Sequence, residues 1–176
     1  LCLVATVFAN DSASLFVFNP SLIKSGEIWR IVTGQFVHSN LAHALLNCAG
    51  LLLVWSLHGE YYPYLKLPIL TLISSCAIGL CIFFFADYAI YYGLSGVIHF
   101  LLVWGAWIDI KNKEKTGYLL LLGMTIKVLW ETFLGADTKT SALIDAVVAT
   151  EAHIIGVSLG LIAGITWTYL QHWKYK

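Results

Sequence analysis

Tyr92-Gly93-Leu94-Ser95-Gly96-Val97 sets one serine between two glycines at the head of an apolar run that continues to about Ile110. Hydrocarbon offers a hydroxyl no partner, and an unpaired polar group there costs free energy. A serine framed by backbone-permissive residues at the edge of such a run therefore calls for a reason, and Ser95 is read as a candidate nucleophile. A serine hydroxyl attacks well only when a base takes its proton. The reading thus requires a histidine at the same depth, and donors for a developing oxyanion, from elsewhere in the chain.

Composition fixes the class. The 176 residues are 59% hydrophobic and 11% charged, with a mean hydropathy of +0.79. Soluble domains carry roughly 25% charged residues. The chain is read as a single all-α membrane domain over residues 1–176 with no separate soluble module. Formal net charge is zero, which gives no sign of a nucleic-acid partner; membrane lipid is the expected surrounding. Cys2, Cys48, Cys76 and Cys81 lie in apolar runs without zinc or disulfide spacing and are read as buried small hydrophobes.

Six spans are expected. The chain begins with Leu1 rather than Met, so the stretch to Ala9 reads as the tail of a first span truncated at its N-terminus. The second runs from about Asn40 to Gly59, the third from Lys66 to Ala86 and the fourth from Ser95 to Ile110. The fifth runs from Gly117 to Leu134 and the sixth from Glu151 to Gln171. Each is near the ~20 residues that cross a bilayer core, except the fourth, which starts within the protein. Residues 10–40 read as a long apolar loop in the membrane interface, with turns at Asn19-Pro20-Ser21 and Lys24-Ser25-Gly26-Glu27 and with Trp29 at headgroup depth. Residues 135–150 read as a second, more polar loop.

Lys66, Lys111, Lys113, Lys115, Lys174 and Lys176 fall in one set of connections and ends; Lys24, Arg30 and Lys139 fall in the other. The first set is expected in the cytoplasm, with both termini. Ser95, His43 and His153 then each lie near the outer end of a span running inward, at similar depth.

His43 and Asn47, four apart, share a helical face. They are polar glue between helices or donors to an oxyanion. His153 precedes Gly156, Gly160 and Gly164, a stripe that lets another backbone come close. That approach would bring an imidazole to Ser95, and histidine suits a general base. His99, one turn below Ser95, is the base itself, a partner that fixes the His153 tautomer, or a buried polar residue. Gly93 is expected to give room for the turn and the oxyanion, and Gly96 close contact with the sixth span. Lys127 and Glu131 read as an ion pair facing the interior, more structural than chemical. Glu151 suits a helix N-terminus and is a candidate substrate contact. His38 is expected to bond a loop carbonyl, and Trp29-Arg30 to anchor the first loop, the arginine donating to carbonyls. Asp109, Glu114 and Lys111 to Lys115 read as a solvated turn.

Other chemistries fit less well. A nucleophile elbow needs glycines two before and two after the serine; Gly93 fits, and Val97 does not. No His-Glu-x-x-His run exists. His38, His43, Glu151 and His153 have generic spacing, so no metal and no cofactor are expected. A proton relay through His99, Lys127 and Glu131 would suit a transporter, without an internal repeat to support it.

Trp29-Arg30, His43-x-x-x-Asn47, Gly93-x-Ser95-Gly96 and Ala152-His153-x-x-Gly156-x-x-x-Gly160, in this order, resemble the rhomboid intramembrane serine proteases. The resemblance implies a six-helix fold and a Ser95–His153 dyad with no third acid. It implies an oxyanion hole from His43, Asn47 and the Ser95 N–H, a water-filled cavity open to the outer side, and a cap formed by the loop before His153. Many bacterial rhomboids carry tyrosine where this chain has His99. Histidine there, with Trp130-Glu131 and Glu151-Ala152-His153, is similar to the rhombosortase subgroup. That subgroup implies a transmembrane substrate, the C-terminal Gly-Gly sorting tail of exported proteins, cleaved at the outer face of a bacterial inner membrane. Other single-span substrates, or an inactive rhomboid-like chaperone, are the alternatives.

Overall fold

The computed structural model describes residues 12–62 and 65–174. Among these residues it contains α-helices and no β-strand. Three short helices come first: α1 (Ser12–Phe16), α2 (Pro20–Lys24) and α3 (Arg30–Thr33). Five long ones follow, α4 (Leu41–His58), α5 (Lys66–Phe85), α6 (Ser95–Lys111), α7 (Lys115–Leu134) and α9 (Thr150–Lys174), with the short α8 (Thr138–Ile144) before the last. The long helices match the second to sixth expected spans. The first span and Cys2 lie outside the described residues.

The segments Leu41–Tyr61, Lys66–Phe85, Lys115–Leu134 and Thr150–Gln171 are each long and apolar enough to cross a membrane. The chain is a multi-pass membrane protein. Helices are the form its backbone must take there, since every N–H and C=O has to be paired within the segment. These four helices bury only 17–28% of their apolar windows inside the protein, so most of their side chains face outward, where lipid is the fitting solvent. The opposite holds for α6, where 12 of 17 residues are buried. It is the central post, and Ser95 is its first residue.

The closest partner of α6 is α9. A Cβ at Gly160 would stand 2.6 Å from the Phe100 carbonyl oxygen, and one at Gly164 would stand 2.7 Å from the Trp107 ring. A Cβ at Gly156 would meet the carbonyl oxygen of Gly96, and one at Gly96 would stand 2.9 Å from that of Ala152. The four-residue glycine stripe thus lets two backbones touch.

Four expectations change. Residues 12–40, the described part of the first expected loop, are not irregular throughout. Asn19 does not begin a turn but caps α2, its side chain accepting from the N–H groups of Ser21 and Leu22 at 3.0 and 3.1 Å, with Pro20 in the first helical position. The 135–150 connection contains α8, capped in the same way by Asp137. The cysteines are not fully buried: Cys76 is exposed, and Cys48 and Cys81 are intermediate, because a small apolar side chain can equally face lipid. Asp109 is not in a solvated turn. It is buried and accepts from Tyr61 Oη at 2.8 Å and Thr116 Oγ1 at 3.4 Å, with His58 Nε2 3.3 Å away. That cluster joins α4, α6 and α7 beside a cavity of about 820 Å³.

Candidate active site

Residues before α4 hold the backbone that leads into Ser95. Arg30 is buried and donates through Nη1 to the carbonyls of Ser14 and Val17 at 2.7 and 2.8 Å, and through Nε to Glu27 at 2.7 Å. Trp29 is half exposed and donates from Nε1 to the Leu15 carbonyl at 3.1 Å. The end of α1 fixed this way leads to Phe18, which exchanges two backbone bonds with Tyr91 at 3.2 and 3.1 Å. Gly93 N–H donates to the Gly34 carbonyl at 3.2 Å, and Tyr91 Oη donates to the Gly93 carbonyl at 2.8 Å. Gly93 has φ +113°, and a Cβ there would lie 2.7 Å from His43 Nε2. Only glycine suits both conditions. Phe18, Gly34 and Tyr91 were not singled out from the sequence, because their role depends on a contact across some 70 residues that spacing does not encode.

Ser95 Oγ lies 2.9 Å from His153 Nε2. His153 Nδ1 lies 2.8 Å from Glu131 Oε2. The dyad therefore stands next to a carboxylate, where the resemblance implied no third acid. Glu131 Oε1 accepts from Lys127 Nζ at 2.7 Å, the expected ion pair facing the interior cavity, with Lys127 partly exposed. Lys127 Nζ also donates to His99 Nε2 at 3.1 Å, and His99 Nδ1 lies 2.7 Å from the Ser95 carbonyl oxygen. His99 thus bonds neither Ser95 Oγ nor a ring nitrogen of His153. It stacks on His153, with ring centroids 4.1 Å apart and planes 13° from parallel.

Facing the serine are His43 and Asn47, both buried. Asn47 Nδ2 is buried with no hydrogen-bond partner, a costly state that asks for an acceptor. With Ser95, His99, Lys127, Glu131 and His153 they line a cavity of about 310 Å³. Thr140 and Ile144 of α8, and Val147 to Ala149 after it, close one side, where resemblance implies a cap. Two side chains before α4 tether that cap. Asn40 Nδ2 donates to the Leu143 carbonyl at 3.0 Å, and Ser39 Oγ donates to the Ile144 carbonyl while lying 3.0 Å from His43 Nδ1. Glu151 does not point to the cavity wall. Its carboxylate accepts from Tyr88 Oη and Thr150 Oγ1, joining the entry of α9 to the segment before Ser95.

The acceptor atoms of His99, Glu131 and His153 lie within 4.8 Å of one another, a different set from the one considered for a metal on sequence. Lys127 places an ammonium against two of these three residues, so a cation's position there is already filled by the protein's own.

His38 is buried edge-on to His43, with ring centroids 5.0 Å apart, and neither of its ring nitrogens has a partner at hydrogen-bond geometry. The expected loop partner is the backbone of Phe36, close enough to favour the charged ring but outside hydrogen-bond geometry. Burial first, and the neighbouring His43 second, lower its pKa from 6.5 to about 4. The unfolded chain therefore binds more protons between pH 4 and 6.5, and stability is expected to fall as pH drops through that window and to level off below it. The loss is at most about 3 kcal/mol. Thermal unfolding in detergent from pH 7 to pH 4 measures it; an identical pH slope in His38→Phe would remove His38 as the cause.

A family model described as Rhomboid domain matches residues 25–170. The rhomboid protease GlpG of Yersinia pestis (strain Pestoides F) is 31% identical over 140 residues, which cover 77% of this chain and 47% of that protein. GlpG of Yersinia enterocolitica (serotype O:8) matches with the same identity and coverage, 31%, 77% and 47%. The chain thus spans about half the length of the curated relatives it matches.

Proposed function

Because the chain belongs to the rhomboid family, we propose that it is an intramembrane serine endopeptidase that cleaves a transmembrane protein segment. The observation that carries this reading is the 2.9 Å approach of Ser95 Oγ and His153 Nε2 beside a cavity into which Asn47 brings an unpaired donor. His153 Nε2 takes the hydroxyl proton as Oγ attacks the scissile carbonyl carbon. The carbonyl oxygen becomes an oxyanion, for which Asn47 Nδ2, His43 and the Ser95 N–H at the free start of α6 are the donors. The imidazolium then gives its proton to the leaving amine, and water repeats the sequence on the acyl-enzyme. Labelling by a fluorophosphonate, present in the wild type and lost in Ser95→Ala, tests this. A wild type that is not labelled leaves a client-binding rhomboid relative.

The substrate we infer is the Gly-Gly sorting tail of exported proteins, as in rhombosortases. His99, Trp130-Glu131 and Glu151-Ala152-His153 support this. The likeness to rhombosortases implies a bacterial inner membrane, and the lysine distribution favours a cavity opening to its outer, periplasmic side. The mass of a Gly-Gly-tailed protein made with and without this enzyme is the measurement. The tail is expected to be lost only with the enzyme; an unchanged mass would leave a general rhomboid protease with other substrates.

A further inference from the structure

We propose that Glu131 is a positioning residue that completes a Ser95–His153–Glu131 relay, and that Lys127 and His99 close it into a ring of hydrogen bonds beginning and ending on Ser95. This rests on the serine-protease reading and deepens it. Donor chemistry fixes every proton in the ring without choice. An ammonium only donates, so Lys127 Nζ gives one N–H to Glu131 Oε1 at 2.7 Å and another to His99 Nε2 at 3.1 Å. His99 Nε2 is therefore the bare nitrogen, and Nδ1–H donates to the Ser95 carbonyl at 2.7 Å. An ionised carboxylate only accepts, so Glu131 Oε2 takes His153 Nδ1–H at 2.8 Å. That leaves His153 Nε2 bare, and it accepts from Ser95 Oγ–H at 2.9 Å. Each member excludes the wrong tautomer of the next.

In the reaction, one proton moves from Ser95 Oγ to His153 Nε2 as the Oγ–carbon bond forms. Glu131 keeps its charge, takes no proton, and offsets the imidazolium charge through Nδ1–H. Lys127 holds the second carboxylate oxygen, so the carboxylate cannot rotate away. The stacked His99 ring fixes the plane of the His153 ring. A carboxylate in this position is worth up to ~10⁴-fold in serine proteases, chiefly by holding the tautomer.

Two variants and two readouts test the proposal on the full chain in detergent. Glu131→Gln keeps size and polarity and removes the charge. Its rate of labelling by a fluorophosphonate is expected to fall about 10²-fold or more, with an unfolding midpoint close to wild type. In the ¹⁵N spectrum of labelled histidine, His153 is expected as the Nδ1–H tautomer in the wild type and as a mixture in Glu131→Gln. Lys127→Met removes the ion pair and keeps the carboxylate, and it is expected to retain the Nδ1–H signature. Should Glu131 be only half of a clasp, the two variants would lose stability alike and the His153 tautomer would not change; that result overturns the proposal, as does labelling of Glu131→Gln within about threefold of wild type. The tautomer readout needs no activity. A wild type that is not labelled at Ser95 therefore counts against the protease reading alone, while the spectrum still decides the role of Glu131.

Discussion

Ser95→Ala is expected to lower cleavage by at least ~10⁴-fold and leave the protein folded. The variant loses one hydroxyl, and with it the nucleophile. What remains is binding and oxyanion donors, which in serine hydrolases sustain only a small residue of the rate. The structural cost is small, because Ser95 Oγ bonds a single partner, His153 Nε2, and a lost hydrogen bond costs roughly 1 kcal/mol. Activity against a single-span substrate, read beside the thermal unfolding midpoint, separates the two quantities. Substantial cleavage by a folded Ser95→Ala enzyme would end the assignment of Ser95.

Gly156→Ala is expected to cost both activity and stability. Its new Cβ would press on the Gly96 carbonyl oxygen and lie 3.2 Å from His99 Cβ. The obstacle is backbone, which cannot swing aside like a side chain, so α9 must back away from α6. Overpacking of this kind costs typically 1–3 kcal/mol. His153 travels with α9 while Ser95 stays on α6. A misplacement near 1 Å costs ~10²-fold in rate, so at least that loss is expected. Gly123→Ala in α7 is the control: a Cβ there meets nothing within 4 Å. It is expected to be neutral, or stabilising by under about 1 kcal/mol. Equal behaviour of the two variants would refute the packing account.

The spans were legible because each rests on some 20 consecutive residues of one character, a signal that needs no tertiary knowledge. The start of α6 was legible for a related reason: Gly93 and Ser95 interrupt an apolar run at a single point. The glycine stripe could be read from its period of four, and the need for a base at Ser95 pointed it to the fourth span, which is the helix it meets. Residues 12–36 were opaque. Helices of four or five residues are not stable on local propensity; the donation of Arg30 to carbonyls was expected, but not that it ties α3 to α1 across 16 positions. The contact of Glu131 with His153 is not legible in the sequence, because the spacing from Lys127 accounts for one carboxylate oxygen and conceals the other. Which oxygen faces His153 is set by the rotation of α7 against α9. Asp109 was taken as exposed because it sits near a lysine-rich turn, whereas its helical face turns it toward His58 and Tyr61.

The tether between Ser39 and the cap works as an interlock. A hydroxyl has one proton. While Ser39 spends it on the Ile144 carbonyl, a neutral His43 must carry its own on Nδ1 to reach Ser39 Oγ, and it turns a bare Nε2 toward Gly93. A bare nitrogen repels an oxyanion. Were the Ser39–Ile144 bond broken, Ser39 could donate to Nδ1 instead, leaving His43 free to hold its proton on Nε2. The bond that ties the cap to the segment before α4 thus also sets which nitrogen of His43 carries the proton.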